Sequence, residues 1–141
     1  MNSSSTNPLV LLLGRVMICV IFLSSSVGQI TDFDSNMKHV AGAGMPVPQM
    51  AIWASIVVQF LGGVALLVGF RIRIAAWALF IFLIPTTIML HRFWGIPSPH
   101  SPEVQFFKNM ALMGGLLFVA NSEAGAYSVD ALLARKSNAA R

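Results

Sequence analysis

Apolar residues fill four long stretches of this chain, and polar residues collect at the joints between them. The first stretch runs from Leu9 to about Val27, the second from about Gln49 to Phe70, the third from about Ile74 to Leu90, and the fourth from about Val104 to Ala120. At about 1.5 Å per residue, helices of this length reach across a hydrocarbon layer about 30 Å thick. The fourth is short for a span and is expected to extend into the headgroup layer. The pattern predicts an all-α integral membrane four-helix bundle occupying residues 9–120, with a polar N-terminal segment at 1–8 and a C-terminal tail at 121–141.

The joints add detail. Pro8 opens the first run. Arg15 interrupts that run and no Lys or Arg precedes it, so the stretch is expected to be a span and not a cleaved leader. In the segment Gln29–Val47, Asp32 and Asp34 are candidate caps for a short amphipathic helix that sets Phe33, Met37 and Val40 on one side. This helix is expected to lie in the interface plane and to end at Gly42-Ala43-Gly44-Met45-Pro46. Arg71-Ile72-Arg73 forms a tight charged turn. Pro85 removes a helical donor from the carbonyl of Ile81, and Thr86 and Thr87 are placed to offset a kink. Trp94, in the Pro-rich loop His91–Pro102, is expected to anchor at the interface. In the tail, Tyr127, Val129, Leu132 and Leu133 give a weak apolar side, and the last few residues are expected to be disordered. Ser24/Gly28, Ala65/Gly69 and Ala111/Gly115 form small-xxx-small pairs, and Gly62-Gly63 and Gly114-Gly115 allow close helix contact.

Composition agrees with the pattern. Of 141 residues, 56% are hydrophobic and only 10% charged, against about 25% charged in a soluble domain. Mean hydropathy is +0.75. A net charge of +4 on so few ionisable groups excludes a nucleic-acid binder, whose surface is far richer in charge. The charge instead reports topology. Arg71, Arg73, Arg135, Lys136 and Arg141 fall on one face; Lys38 and Arg92 fall on the other, offset by Asp32, Asp34 and Glu103. The positive-inside rule then puts both termini on the cytoplasmic side of the inner (plasma) membrane. The single cysteine, Cys19, has no partner for a disulfide or a CxxC pair and is expected to be a small buried hydrophobe.

The candidate chemistry lies in polar residues within or beside the apolar runs: Arg15, Gln59, His91, Lys108 and Asn109. A cation at the bilayer centre costs roughly 2.5–3.5 kcal/mol on insertion scales, so such residues are expected to face an interior. Helical rise places Arg15 and Gln59 where their side chains can approach. His91, Lys108 and Asn109 fall near the opposite face, with Asp32 a candidate counter-ion. Together these six define an expected polar pocket for a headgroup, a quinone ring or a small oxyanion. Simpler roles stay open. Arg15 can snorkel to phosphates, His91 and Lys108 can mark the interface, and Gln59 can make one structural interhelical hydrogen bond worth about 0.6–2 kcal/mol. His39 and His100 are expected to be solvated. No metal or haem ligand set has suitable spacing.

A series of short motifs then follows in order: Leu13-Gly14-Arg15, Gly28-Gln29-Ile30-Thr31-Asp32-Phe33, Gly44-Met45-Pro46-Val47-Pro48, Gln59-Phe60-Leu61-Gly62-Gly63, His91-Arg92-Phe93-Trp94 and Phe107-Lys108-Asn109-Met110-Ala111-Leu112. In this order and spacing, over about residues 9–120, the chain resembles the DoxX family. The resemblance implies a four-helix membrane bundle. It also implies a small membrane subunit of a quinone-linked oxidoreductase or oxidative-stress complex, not catalytic alone. A quinone is then the expected ligand, with no covalent cofactor, and Lys108, His91 and Asn109 would bond its oxygens. Expected partners are the lipid bilayer and a protein subunit or a second copy. A non-enzymatic scaffold, or a transporter of small solutes or lipid, is the alternative. Two positions depart from the family pattern: Gln59 stands where many relatives carry Glu, and Gln29 where relatives often carry Lys.

Overall fold

The computed structural model describes residues 7–91 and 102–139. Among them are six helices and no strand: α1 Pro8–Thr31, α2 Phe33–Gly42, α3 Pro48–Val68, α4 Ile72–Leu90, α5 Pro102–Asn121 and α6 Val129–Ala139. Three of these, α1, α3 and α4, are long and apolar enough to cross a membrane. Trp94, Arg92, His100 and Arg141, and the expectations attached to them, lie outside the described residues.

Each helix begins and ends for local reasons. Asn7 caps α1 by accepting from the N–H of Leu9 at 3.0 Å, and Pro8 sits where its missing N–H costs nothing. Gly69, at φ 72°, ends α3 in the left-handed conformation that glycine adopts freely. Arg71 at φ 45° completes the reversal into α4. Asp32 does not cap α2 through its side chain, contrary to expectation. Its backbone carbonyl instead accepts from both the N–H and the carboxamide of Asn36, at 3.1 and 2.7 Å. Helix α4 continues through Pro85, and the Thr86 hydroxyl donates to the carbonyl of Phe82 at 2.9 Å.

Packing runs α1 on α3, α3 on α4 and α4 on α5. The fully buried side chains Leu66, Leu79 and Leu116 mark the centre, with Cys19 and Phe22 from α1. The glycine pair of α3 sets the spacing. A Cβ on Gly62 would lie 2.7 Å from Leu79 Cγ, and one on Gly63 would lie 2.9 Å from Leu23 Cδ2. Gly28 and Gly114, expected at contacts, have open space beside them. The outward faces are as apolar as the core: Met17 is 76% and Phe118 79% exposed. Hydrocarbon, not water, is the solvent that suits such a surface.

The 121–141 segment holds the main surprise. It carries a helix, α6, that the weak apolar pattern does not predict. The helix docks by hydrogen bonds at its first turn. Asp130 donates its N–H to the carbonyl of Gly69 at 3.1 Å and accepts from the Arg71 N–H at 3.0 Å. Ser128 caps the helix, accepting from the Ala131 N–H at 3.1 Å.

Candidate functional site

A cavity of about 560 Å³ opens at the end of the bundle where the C-terminal halves of α1 and α4 meet the N-terminal halves of α3 and α5. Helix α2 lies against it through Asn36, His39 and the buried Val40, held to α3 by Phe33, whose ring centroid is 5.3 Å from that of Trp53. The volume falls within the usual range for small-molecule sites. Its walls are largely apolar, with Phe22, Ile52, Phe82 and Leu112 among them.

The polar groups divide into two sets. Towards the mouth stand His39, His91 and Lys108, the only ionisable residues in the lining among the described residues, which bring no carboxylate to the cavity. Lys108 Nζ donates to the Gln105 carboxamide. His91 follows the last turn of α4, where its N–H donates to the Thr87 carbonyl at 3.3 Å. Burial holds the His91 imidazole below its ordinary pKa, and the charges of Lys108 and His39 push the same way. Deeper in, the groups are neutral. Gln59 Nε2 donates to Ser55 Oγ at 2.8 Å, and that hydroxyl donates to Gln29 Oε1 at 2.9 Å. On the facing wall, Asn109 Nδ2 donates to Thr87 Oγ1 at 3.0 Å, a fully buried pair.

The structure therefore brings Gln59, His91, Lys108 and Asn109 around one cavity. It places the other two candidates elsewhere. Asp32 is exposed at the corner between α1 and α2 and does not reach Lys108. Arg15 is 3% exposed but lies about 9 Å from the nearest lining residue of α1, Ile21, by helical rise. It does not approach Gln59. One of its terminal nitrogens donates to the carbonyl of Tyr127, while Nε and the other terminal nitrogen are buried with no hydrogen-bond partner among the described residues. Arg15 thus belongs to the docking site of the C-terminal segment. Depth along a helix fixes height but not the direction a side chain faces, and Arg15 faces the α3–α4 turn.

Sequence reasoning passed over Ser55, read Thr87 only as a residue that offsets the Pro85 kink, and missed the bonding role of Gln29. The i, i+4 spacing of Ser55 and Gln59 put both on one helix face. Gln29 and Thr87 gave no comparable signal, because their partners lie on other helices.

The geometry invites comparison with known proteins. The DoxX family model matches residues 10–92, the stretch from α1 to the end of α4. The chain is 31% identical to inner membrane protein YqjF of Escherichia coli K12 over 127 residues, 89% of this chain and 92% of that protein. It is 25% identical to inner membrane protein YphA of the same organism over 128 residues, 89% of this chain and 91% of that protein. A shorter similarity, 31% over 85 residues, links 55% of the chain to 28% of the Surfeit locus protein 4 homolog of Schizosaccharomyces pombe. No solved structure matches the chain.

Proposed function

Because this chain belongs to the DoxX family of integral membrane proteins, we propose that it is a small membrane subunit of a quinone-linked oxidoreductase or oxidative-stress complex. In this reading α1, α3, α4 and α5 are four spans. Helix α5 has 20 residues, about 30 Å at the helical rise, which is sufficient length. Helix α2 lies in the outer interface. Arg71, Arg73, Arg135 and Lys136 gather at the end that holds the N-terminus, which favours cytoplasmic termini.

The observation that carries the proposal is the cavity: apolar walls, the Lys108 ammonium beside two imidazoles, no carboxylate among the described lining residues, and a set of carboxamides and hydroxyls. A quinone-type ring fits this donor set, having an apolar body and polar oxygens at its edge. Lys108 and His91 are placed to donate to an oxygen near the mouth. Asn109 and Gln59 are placed to bond one deeper in. When bound, the quinone would supply two-electron acceptor chemistry. The protein's own residues orient the ring and exclude water, and a partner protein delivers the electrons.

The test is a titration of purified protein with a short-chain quinone, followed by tryptophan quenching. Saturable binding is expected, weakened about tenfold or more in Lys108→Ala, which removes a charge-assisted hydrogen bond. Binding that never saturates would refute the quinone assignment. If a fixed partner still co-purified, a scaffold role would replace it.

A further inference from the structure

The carboxamides of Gln59 and Gln29 in the cavity lining have a property that its ionisable residues lack. Gln59 uses its Nε2 on Ser55, and Gln29 uses its Oε1 on the same hydroxyl. The other half of each carboxamide, Gln59 Oε1 and Gln29 Nε2, has no protein partner among the described residues, and both residues line the cavity. The chain Gln59–Ser55–Gln29 therefore offers the cavity an acceptor at one end and a donor at the other.

This chain can run in either direction. A carboxamide carries both a donor and an acceptor, and a hydroxyl can donate while it accepts. Turning each carboxamide by half a turn about its last bond, and rotating the Ser55 proton, gives Gln29 Nε2 to Ser55 to Gln59 Oε1. Only the nitrogen and oxygen of each carboxamide exchange places, and no hydrogen bond is lost. Gln59 then shows the cavity a donor where it had shown an acceptor. The Asn109–Thr87 pair allows the same exchange, since the Thr87 hydroxyl can accept from Nδ2 or donate to Oδ1. Opposite walls of the cavity thus both carry reversible hydrogen-bond ends. A site meant for one fixed pattern would instead have lysine, arginine or a carboxylate there.

We infer that the inner end of the cavity binds both the carbonyl and the hydroxyl form of its ligand, the oxidised quinone and the reduced quinol, with similar affinity. This rests on the quinone reading above. A carbonyl oxygen at Gln59 selects one direction of the chain, and a hydroxyl that donates selects the other. Ser55 is the positioning residue that couples the two carboxamides. Gln29 sets the direction, because whatever it offers Ser55 decides what Gln59 can show.

The last point gives a test with opposite signs. Glutamate at position 29, ionised at pH 8, only accepts, so Ser55 must donate to it and Gln59 must show its oxygen. Lysine at position 29 only donates, which frees the Ser55 proton for Gln59 Oε1 and favours the direction in which Gln59 shows its nitrogen. Dissociation constants of a short-chain quinone and its dithionite-reduced quinol are measured on one anaerobic preparation of full-length protein in detergent. Their ratio is independent of the fraction of folded protein. The wild-type ratio is expected within about threefold of one. Gln29→Glu should shift it about fivefold toward quinol and Gln29→Lys about fivefold toward quinone, the scale of one hydrogen bond. Adding Ser55→Ala to either variant should return the ratio to near one. If one variant does not fold, the other with its Ser55→Ala partner still decides. Wild-type protein that binds only one form, a shift in the same direction for both variants, or no shift at all overturns the inference and leaves the quinone reading intact. Binding of neither form overturns both.

Discussion

Arg15, in the first helix, donates a hydrogen bond to the backbone carbonyl of Tyr127, 112 positions along the chain. One bond thus ties the start of the fold to the segment that follows its last long helix. Two of the other guanidinium nitrogens are buried with no hydrogen-bond partner among the described residues, and the Asp130 carboxylate supplies the nearby opposite charge.

Replacing Arg15 with methionine removes both the tether and the buried, under-bonded charge. Substituting a buried ionic group by an apolar one of similar size is often neutral or stabilising. Thermal unfolding of Arg15→Met is therefore expected to change by no more than about 2 kcal/mol. Docking of α6 should weaken, with faster amide exchange over 128–139 and faster tryptic cleavage at Arg135 and Lys136. Unchanged protection there would show that Asp130 alone holds the segment.

Three glycines should differ sharply when changed to alanine. Gly69→Ala introduces a Cβ that overlaps the Arg15 guanidinium, lies 2.5 Å from Ser128 Cβ and sits at a left-handed φ of 72°. Strain and overlap together should cost about 2–4 kcal/mol. Gly62→Ala presses on Leu79 and should cost about 1–3 kcal/mol. Gly114→Ala meets nothing within 4 Å and should be neutral or stabilise by up to about 1 kcal/mol. Denaturation in mild detergent gives the order.

Thr87→Val keeps shape and removes the hydroxyl that accepts from Asn109. A buried carboxamide N–H left unpaired costs about 1–3 kcal/mol. The double variant Thr87→Val/Asn109→Leu should recover part of that loss, because no orphaned donor remains. A double variant less stable than the sum of both single ones would contradict this account.

His91 predicts a pH dependence. Its folded pKa is lowered from the ordinary 6.5, first by burial and then by Lys108 and His39. Between the lowered value and 6.5 the unfolded chain binds more protons than the folded one, so stability rises with pH in that window. Stability is expected in full above about pH 7 and to fall as the solution is acidified through the window. Melting curves at pH 7.5 and pH 5 should differ more in the wild type than in His91→Gln. Equal differences would assign the effect to another group.

The long helices were plain in the sequence because a lipid-facing helix must be apolar over its whole length, a signal that needs no partner to read. The charges of Arg71-Ile72-Arg73 marked the α3–α4 turn to within a few residues; it lies at 69–71, and Ile72 and Arg73 already belong to α4. Helix α6 was not plain, because Leu132 and Leu133 stay exposed and its docking depends on two backbone-level bonds to Gly69 and Arg71. Such bonds leave no periodic trace. At the cavity, Gln59, His91, Lys108 and Asn109 stood out as polar residues in or beside apolar runs. Arg15 stood out for the same reason but serves a different end of the molecule. Asp32 was matched to Lys108 by height alone, and its carboxylate faces outward.

The arginine tether also bears on how the chain is made. Synthesis proceeds from the N-terminus, so α1 is complete, with its guanidinium in place, long before Tyr127 has been added. Until then the charge has no carbonyl to bond and must be tolerated by lipid, water or the insertion machinery. The bond between Arg15 and Tyr127 can form only after all six residues of the α5–α6 connection up to Tyr127 have been released. A chain cut short after α5 would leave the Arg15 guanidinium of the first helix without the Tyr127 carbonyl that it bonds.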